Sequence, residues 1–542
     1  MTGESFTPDE QARLAPYVTN TDRSIFALTN LPEVIKGALF SRYSRSTLGL
    51  RRLLLREFID DEAAEFSAIQ GGTGSSAQAS ALAVGRAQSF YDRILDGYGD
   101  DSIGELGGAH LAVEEVSILA TKTLEDARIG GSPLEKSTRY VSFGQKVAGD
   151  YRFYKEPRLL NSEHRERYLS ACRTLFDTYV QLNEPVREYV RSRLPRDPDT
   201  PEAAYERSVR ALGFDLIRGL LPAATLTNMG VFGNGRFFES LIARLRIEPL
   251  QEFQDIAQTA WEELAKVAPS FIRRAHPEHR HFQSYADFTG ALQQHIRSVA
   301  AQLESASAEP LAIPPGSSGE VRLVEWDADA EEKLIAALLY EHTALPLPQV
   351  QAQVRELPDA ERERLVRESI ALREHRRHKP PRALERVFYT FDLLGDYGMY
   401  RDLHRHRMLT QWRQPLTTRF GYDTPAELED TKLSQPYHDA MAQAAEAFET
   451  IAEDFPHEAQ YVVPMAYRIR WSMHVNLRAL TWLVELRSTP QGHPGYRHIA
   501  QELFREVRRV QPRLAEWMKF ADLDDYALGR LASEVRQESK GA

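Results

Sequence analysis

Residues 218–245, RGLLPAATLTNMGVFGNGRFFESLIARL, recur in altered form at residues 460–487, QYVVPMAYRIRWSMHVNLRALTWLVELR. Both stretches place a proline after an apolar pair, at Pro222 and Pro464, and an asparagine twelve residues later, at Asn234 and Asn476. Each asparagine opens an apolar pattern of helical period. Chance likeness between two amphipathic helices is the alternative, but the elements around both stretches also run in the same order. The match therefore favours an internal repeat.

A Pro/Ser/Gly-rich stretch, LESASAEPLAIPPGSSGE, separates the two copies at residues 303–320. It has no periodic apolar face, and this composition is typical of an interdomain linker. After it, VRLVEW has the alternation of a strand and is followed by an acidic helix start. The sequence therefore predicts a first repeat at residues 1–302, a linker at 303–320 and a second repeat at 321–542.

Helical periodicity dominates both halves and predicts an α+β, helix-rich fold. The predicted helices cover residues 164–193, 201–221 and 249–267 in the first half and 433–451, 467–486 and 497–510 in the second. Strand patterns are fewer, for example RYVSFGQKV at residues 139–147. We expect each repeat to be a small sheet packed with long helices.

The composition is that of a soluble globular protein, with 42% hydrophobic and 27% charged residues. The formal net charge of −11 argues against a general nucleic-acid binder, which would carry a basic footprint. The N-terminus lacks the apolar core of a signal peptide, and no apolar run approaches the length of a membrane span. We expect a cytoplasmic protein without a membrane partner.

The single cysteine, Cys172, excludes an internal disulfide and a cysteine-built metal site. Its place in a predicted helix favours a small core residue over a catalytic thiol. His404 and His406, with His375 and His378 upstream, raise the possibility of a metal site. Arginines on both sides of the first pair would repel a cation, and we therefore predict no metal site.

An arginine-rich segment, YRDLHRHRMLTQWRQPLTTRFGY, occupies residues 400–422. Guanidinium groups fit phosphate oxygens, and the aromatic side chains among them suit a flat heterocycle. A solvated basic face paired with acidic helices is the alternative. In the first half, GGSPLEKSTRY at residues 130–140 surrounds one guanidinium with backbone amides and hydroxyls. This pattern suits a phosphate-binding loop and is also common in ordinary turns.

These residues resemble the signature of the flavin-dependent thymidylate synthases, the ThyX family. That signature is Arg-His-Arg, seven further residues and Ser-x-Arg-Tyr, with a segment carrying His and Glu upstream. Arg405, His406 and Arg407 match its first part, and His378 and Glu385 stand where the upstream His and Glu belong. Residues 475–487, VNLRALTWLVELR, resemble the family's Asn-rich helix that ends in an arginine.

Each half departs from the family pattern at different places. The second half has Pro415 and Thr417 in place of the Ser and Arg of the signature, and Gln460 in place of a later arginine. The first half matches at those places, through Glu135, Ser137, Arg139, Tyr140 and Arg218. It departs at the Arg-His-Arg position, at the upstream His and at the arginine that ends the helix, where it has Ala127, Arg128, Ile129, Asp100 and Leu245.

The losses are complementary, and members of the family are tetramers whose sites draw residues from several subunits. The resemblance therefore implies composite sites built from both halves, in a dimer of two-repeat chains. It also implies reductive methylation of dUMP, with FAD as the cofactor and methylenetetrahydrofolate and NADPH as co-substrates.

The resemblance assigns a role to each matching residue. Cofactor binding falls to Arg405, His406, Arg407, His378, Glu385 and Asn476, and nucleotide binding to Glu135, Ser137, Arg139, Tyr140, Arg218 and Arg487. Arg405 and Arg487 are the catalytic candidates, since a guanidinium can stabilise charge that develops on the pyrimidine. Two other hypotheses remain open: a catalytically degenerate nucleotide-binding or scaffold protein of this fold, and a flavin-dependent methyl transfer to another pyrimidine.

Overall fold

The computed structural model describes residues 5–31, 33–44, 46–59, 104–306, 320–429 and 431–541. The chain forms two compact units. The first unit comprises Met1–Glu114, Ala127–Glu135 and Asn228–Pro310, and the second comprises Glu115–Asp126, Lys136–Thr227 and Leu311–Ala542. The units do not coincide with the two halves of the sequence, because the second unit takes two segments from the first half.

The α-helices of the described residues are numbered in chain order. They are α1 (Pro8–Leu14), α2 (Glu33–Tyr43), α3 (Leu50–Leu54), α4 (Ile118–Glu125), α5 (Pro157–Leu160), α6 (Arg165–Arg193), α7 (Glu202–Ile217), α8 (Gly235–Arg246), α9 (Gln251–Ala265), α10 (Pro269–Ile272), α11 (Arg280–Ala306), α12 (Ala330–Tyr340), α13 (Leu347–Glu356), α14 (Asp359–Ala371), α15 (Tyr397–Leu403), α16 (Ala426–Glu429), α17 (Ser434–Asp454), α18 (Leu477–Arg487), α19 (Pro494–Val510), α20 (Pro512–Ala515) and α21 (Leu531–Gly541).

The strands of the same residues are β1 (Gly108–Ser117), β2 (Gly131–Glu135), β3 (Lys146–Val147), β4 (Asp150–Tyr151), β5 (Leu226–Asn234), β6 (Glu320–Trp326), β7 (Phe388–Asp396), β8 (Thr410–Arg413) and β9 (Arg468–Asn476). They form a sheet of order β1-β5-β2, a β3-β4 pair and a sheet of order β6-β7-β9-β8. The predicted α+β, helix-rich class is confirmed.

In the first unit, β2 runs antiparallel to β5, with Gly131 opposite Gly233 and Glu135 opposite Met229. Helix α8 follows β5 directly, because the Asn234 side chain accepts the Phe237 N–H at 2.9 Å and so caps the helix. Its buried face is apolar and is formed by Phe237, Phe238, Leu241, Ile242 and Leu245. Strand, cap and helix thus come from one continuous segment of the first repeat.

In the second unit, β7 and β9 form the centre of the sheet and pair antiparallel from Phe388↔Asn476 to Asp396↔Arg468. Helix α18 follows β9, because the Asn476 side chain accepts the Ala479 N–H at 2.9 Å. The two asparagines therefore have the same local role. The Pro-to-Asn spacing encodes a strand followed by a capped helix in both repeats.

Residues 218–225 and 460–467 lie side by side in the second unit and exchange equivalent hydrogen bonds. The Ala223 N–H donates to Val463 O, and the Met465 N–H donates to Leu221 O, both at 2.9 Å. The two helix starts also match, because Ile118 N–H donates to Thr225 O at 2.9 Å and Tyr397 N–H to Tyr467 O at 3.0 Å. A local two-fold axis therefore relates the repeats here. It makes residues 218–234 equivalent to 460–476, and residues 118–126 equivalent to 397–405.

Two of the local predictions are wrong. The helix predicted at residues 467–486 begins only at Leu477, because Ile469, Trp471, Met473 and Val475 are buried with the two-residue period of a strand. The strand predicted at 139–147 is mostly irregular, since only Lys146 and Val147 belong to β3. The other five predicted helices are confirmed, as α6, α7, α9, α17 and α19.

Further predictions concern the linker, the single cysteine and membrane-spanning helices. The predicted linker starts inside α11, which extends to Ala306, and β6 begins at Glu320. Residues 307–319 lie outside the described ranges. Asp100 and the GGTGSS sequence at 71–76 also lie outside them. Cys172 is buried in α6, and burial raises the pKa of its thiol. Among the described residues, no helix combines the length and apolar character needed to cross a membrane.

Candidate functional site

Arg139 is a buried cation held in a fixed orientation. The Ser137 hydroxyl accepts the Arg139 N–H at 3.2 Å, which turns the chain at this point instead of extending it. The Arg139 Nε and Nη2 groups donate to the two carboxylate oxygens of Asp215 at 2.8 and 2.7 Å. Burial disfavours the charged form of each partner, but the opposite charge outweighs it, so the pKa of Arg139 is raised and that of Asp215 is lowered. The pair is therefore ionised and bidentate.

Arg218 is a second buried cation, in the turn that follows α7. Its Nη1 group donates to the Asp402 carboxylate at 3.1 Å. Its Nη2 atom is buried and has no hydrogen-bond partner among the described residues. Gly398 leaves room for this guanidinium, because a Cβ there would lie 3.4 Å from Nη2. A buried guanidinium donor without a partner is costly and indicates a place where an anionic ligand could bind.

Asp402, on α15, connects the arginines of the two repeats. Burial raises its pKa, but four guanidinium charges outweigh burial and hold the pKa well below the usual range. In order of effect they belong to Arg218, Arg405, Arg139 and Arg487. Arg139 and Arg218 come from the first repeat, whereas Arg405 and Arg487 come from the second. One carboxylate therefore lies within the field of arginines from both halves of the sequence.

Arg487 and His406 form a second contact between the residues predicted from the sequence. Arg487 Nε donates to His406 Nε2 at 2.9 Å. Burial, with the charge of Arg487, lowers the pKa of His406 to about 3, so the imidazole is neutral and accepts this hydrogen bond. Burial also lowers the pKa of Arg487 itself.

Tyr496, at the start of α19, lies between Arg139 and Arg487. Its hydroxyl accepts a hydrogen bond from Arg139 Nη1 at 3.2 Å. The guanidinium carbons of Arg139 and Arg487 lie 5.7 and 5.5 Å from the centre of its ring. A tyrosine of the second repeat thus contacts one predicted nucleotide-binding arginine from each half.

The cationic groups of the site are only partly paired with carboxylates. Arg139 pairs with Asp215 and Arg218 with Asp402, whereas Arg487 donates to the neutral His406. Burial also lowers the pKa of His493 to about 3, so this second imidazole adds no charge. Asp396 lies nearby, and its pKa is raised to about 7 by burial and by the charge of Asp423. Near neutral pH Asp396 is therefore only partly ionised.

Arg405 and Arg407 are exposed, whereas His406 between them is half-buried. His404 is buried and contacts two carboxylates, with Nδ1 3.4 Å from Glu125 and Nε2 2.6 Å from Asp126. The acidic groups beside this segment thus belong to ion pairs of the fold. The segment combines exposed guanidinium groups with a buried, carboxylate-bound face.

Other residues predicted for the site have different surroundings. Glu385 accepts a hydrogen bond from Arg478 at 2.6 Å, His378 is exposed in the turn after α14, and the Asn476 oxygen is used by the helix cap. Tyr140 is exposed and lies under the Arg530 guanidinium at 4.3 Å. Glu135 is in β2 of the first unit.

The local two-fold axis gives each first-repeat residue of the site a counterpart. Arg218 corresponds to Gln460, whose side chain accepts the Leu416 N–H at 3.0 Å and donates to His457 O at 3.0 Å. Arg405 corresponds to Asp126, which accepts a hydrogen bond from Arg413 at 2.5 Å. The charges that an anion needs are therefore retained at one of the two related places and replaced at the other.

The structure also changes how the signature is placed on the two halves. The Thr417 hydroxyl accepts the Arg419 N–H at 3.2 Å, as Ser137 does with Arg139, so Thr417 and Arg419 are the counterparts, rather than Pro415 and Thr417. From the paired helix starts, Ile118 and Tyr397, to these hydroxyl residues the second repeat is one residue longer than the first. By the register of the two-fold axis, Asp126 and not Ala127 corresponds to Arg405.

Sequence comparisons agree with the repeat seen in the hydrogen bonds. A family model described as thymidylate synthase complementing protein, Thy1, matches residues 57–270 and again 322–513. UPF0159 proteins of Chlamydia muridarum and Chlamydia pneumoniae are 48% and 49% identical to this chain, covering 98% and 99% of it and 99% and 98% of their own lengths. A UPF0159 protein of Thermoplasma acidophilum is 34% identical over 93% of this chain and 99% of its own. The chain therefore belongs to the Thy1 (ThyX) family, as a tandem fusion of two copies.

Proposed function

We propose that this chain carries out a flavin-dependent, thymidylate synthase-type reaction, the reductive methylation of dUMP, at one composite site in the second unit. The buried Nη2 group of Arg218, which has no hydrogen-bond partner among the described residues, is the observation that carries the proposal. A phosphate monoester offers acceptor oxygens and close to two negative charges at neutral pH, so a nucleotide 5′-phosphate suits this donor and the neighbouring guanidinium groups.

The arginines of the first repeat are suited to hold the nucleotide. Asp215 fixes Arg139 through two hydrogen bonds, and Asp402 orients Arg218 through one. An oriented guanidinium loses little conformational entropy when it binds an anion. The unpaired Nη2 group of Arg218 supplies a donor that the fold leaves unused among the described residues.

Arg487 is suited to the reacting end of the nucleotide. Its pKa is lowered by burial, and its Nε group donates to the neutral His406 and not to a carboxylate. A partly desolvated cation of this kind stabilises negative charge that develops on a pyrimidine ring in the transition state. Tyr496 keeps this group in register with Arg139, because both guanidinium groups lie over its ring.

The exposed guanidinium groups of Arg405 and Arg407 suit the diphosphate of FAD, since a guanidinium fits phosphate oxygens and neither side chain is buried. When bound, the flavin supplies hydride transfer, with methylenetetrahydrofolate and NADPH as co-substrates. The surroundings of His378, Glu385 and Asn476 give less support for a role in cofactor binding. Asn476 in particular is needed for the helix cap.

A catalytically degenerate nucleotide-binding protein is the second candidate. Asp215 and Asp402 already occupy several guanidinium donors, which favours weaker anion binding than an open arginine cluster would give. Two measurements on the purified full chain separate the candidates: the absorbance spectrum after FAD addition, and calorimetric titration with dUMP. The proposed reaction requires bound flavin, dUMP binding and release of the C5 hydrogen of labelled dUMP.

Variants assign the two ligands to different arginines. Arg405→Ala should reduce flavin binding, whereas Arg139→Ala should weaken dUMP binding and leave flavin bound. A protein that binds dUMP without flavin supports the degenerate candidate. Flavin binding and turnover without C5 hydrogen release from dUMP would instead indicate another pyrimidine acceptor.

A further inference from the structure

Helix α11 of the first unit carries an exposed apolar stripe that the proposed function does not use. Its side chains are 38–66% exposed and belong to Tyr285, Phe288, Leu292, Ile296, Val299 and Leu303. All residues from 280 to 304 are described, and none of them is buried. An amphipathic helix usually buries its apolar face, so the exposed stripe of α11 is an interaction surface.

The stripe is continuous. Its members follow one another at intervals of three or four residues, and at about 100° per residue they fall within a sector of about 80°. From Tyr285 to Leu303 the stripe extends for about 27 Å along the helix. This is the pattern of a helix that packs along its length against another helix.

The charges of α11 lie away from the stripe. The helix has four charged residues, all more than about 110° from the centre of the stripe: Arg280, Asp287, Arg297 and Glu304. A two-fold interface places one patch against an identical patch, so any net charge on it would repel itself. An uncharged stripe avoids this repulsion and is therefore suited to a second copy, and it offers no opposite charge to an acidic or basic partner.

We infer that α11 pairs antiparallel with α11 of a second copy of this chain. Two-fold pairing about residue 294 brings Phe288 opposite Val299 of the partner subunit and Leu292 opposite Ile296 of the partner subunit. Each large side chain thus meets a smaller or branched one, and the helix dipoles oppose each other. A parallel pair would instead place Phe288 against Phe288 of the partner subunit and align the dipoles.

The surface is large enough for a stable pair. From the exposed fractions, the six side chains of each copy would together bury a total accessible surface on the order of 1,000 Å² in the pair. That area is at the lower limit for specific protein interfaces. The stripe belongs to the first unit, whereas the arginines of the nucleotide site belong to the second.

The mass of the full chain in solution tests the inference. Light scattering at micromolar concentration should give twice the 61.7 kDa of one chain; the family resemblance also implies this mass, so the α11 interface itself is tested by the variants. The variant Phe288→Asp/Leu292→Asp should weaken self-association at least about 100-fold, because it buries charge against apolar surface. Gln294→Asp, on the opposite face, should leave the dimer intact. Circular dichroism checks that both variants are folded. A wild type of single-chain mass, or a double variant as associated as the wild type, overturns the inference.

A distance measurement tests the direction of pairing. Gln283 is exposed and lies on the face opposite the stripe, and the native Cys172 is buried, so a Gln283→Cys chain can be labelled selectively with a nitroxide. Antiparallel pairing about residue 294 separates the two labelled positions by about 33 Å along the helix axis. Parallel pairing leaves no separation along the axis, so the labels are then separated only across the helix pair, and that shorter distance would contradict the antiparallel arrangement.

Discussion

Replacing Arg218 by glutamine should weaken dUMP binding by about 10- to 150-fold while FAD binding is retained. Glutamine is the residue at the equivalent position 460, so the variant copies the other repeat. The change removes the buried guanidinium whose Nη1 lies 3.1 Å from Asp402 and whose Nη2 is unpaired among the described residues. A hydrogen bond to a charged group contributes about 1.5–3 kcal/mol, which corresponds to that loss of affinity.

The same change also leaves Asp402 with less positive charge nearby, since Arg218 has the largest effect among its cations. Arg218→Gln/Asp402→Asn removes this uncompensated carboxylate and should recover folding stability without recovering dUMP affinity. Arg419→Gln is the matched control, because Arg419 is exposed at the counterpart of Arg139. Titration calorimetry with dUMP measures all four proteins. Wild-type affinity in Arg218→Gln, or an equal loss in Arg419→Gln, would refute the assignment of the site to one side of the two-fold axis.

Three further predictions concern single groups. The pKa of Asp396 is raised to about 7, so its contribution to stability is complete below about pH 4 and is lost as the pH rises through about 7. Asp396→Asn keeps the cap on α15, and its free energy of unfolding, measured by urea titration, should fall less than that of the wild type between about pH 5 and 8. Parallel curves for the two proteins would contradict the raised pKa. Asn476→Ala and the matched Asn234→Ala should each lower the free energy of unfolding by about 1 kcal/mol in the same assay, and Asn476→Asp should lower it much less. If Asn476→Ala instead loses flavin without losing stability, the result would support the predicted role of Asn476 in cofactor binding. The pKa of His406 is lowered to about 3, so the stability it contributes is complete above about pH 6.5 and is lost on acidification toward about pH 3. His406→Gln should reduce this loss of unfolding free energy at acidic pH. An unchanged loss would mean that the imidazole is not buried beside Arg487.

The repeat and its capped helices could be predicted because their signals are local. A proline, a fixed interval and an asparagine are read directly from the sequence, and both asparagines are helix caps in the structure. The boundary between β9 and α18 was missed because residues 468–476 and 477–487 are both apolar and adjoin without a turn. The two-residue period of the strand and the 3.6-residue period of the helix then merge into one apparent helical pattern, and the length of this apolar segment hides the strand.

The arginines of the site could be identified from the sequence, but their carboxylate partners could not. Asp215 lies 76 residues from Arg139, and Asp402 lies 184 residues from Arg218, so no local pattern connects them. Asp402 did offer one signal, since it is an acid inside an arginine-rich segment. Tyr496 offered none, because an aromatic residue near the start of an amphipathic helix usually belongs to the core.

The central claim is that residues of both repeats form one nucleotide site per chain. The stoichiometry of dUMP binding to the flavin-loaded full chain, measured by titration calorimetry, tests it most directly. The charges retained around Asp402 and replaced around its counterpart predict one dUMP per chain. Two dUMP molecules per chain would show that the second place also works, and the absence of binding would show that the internal carboxylates have taken the place of the ligand.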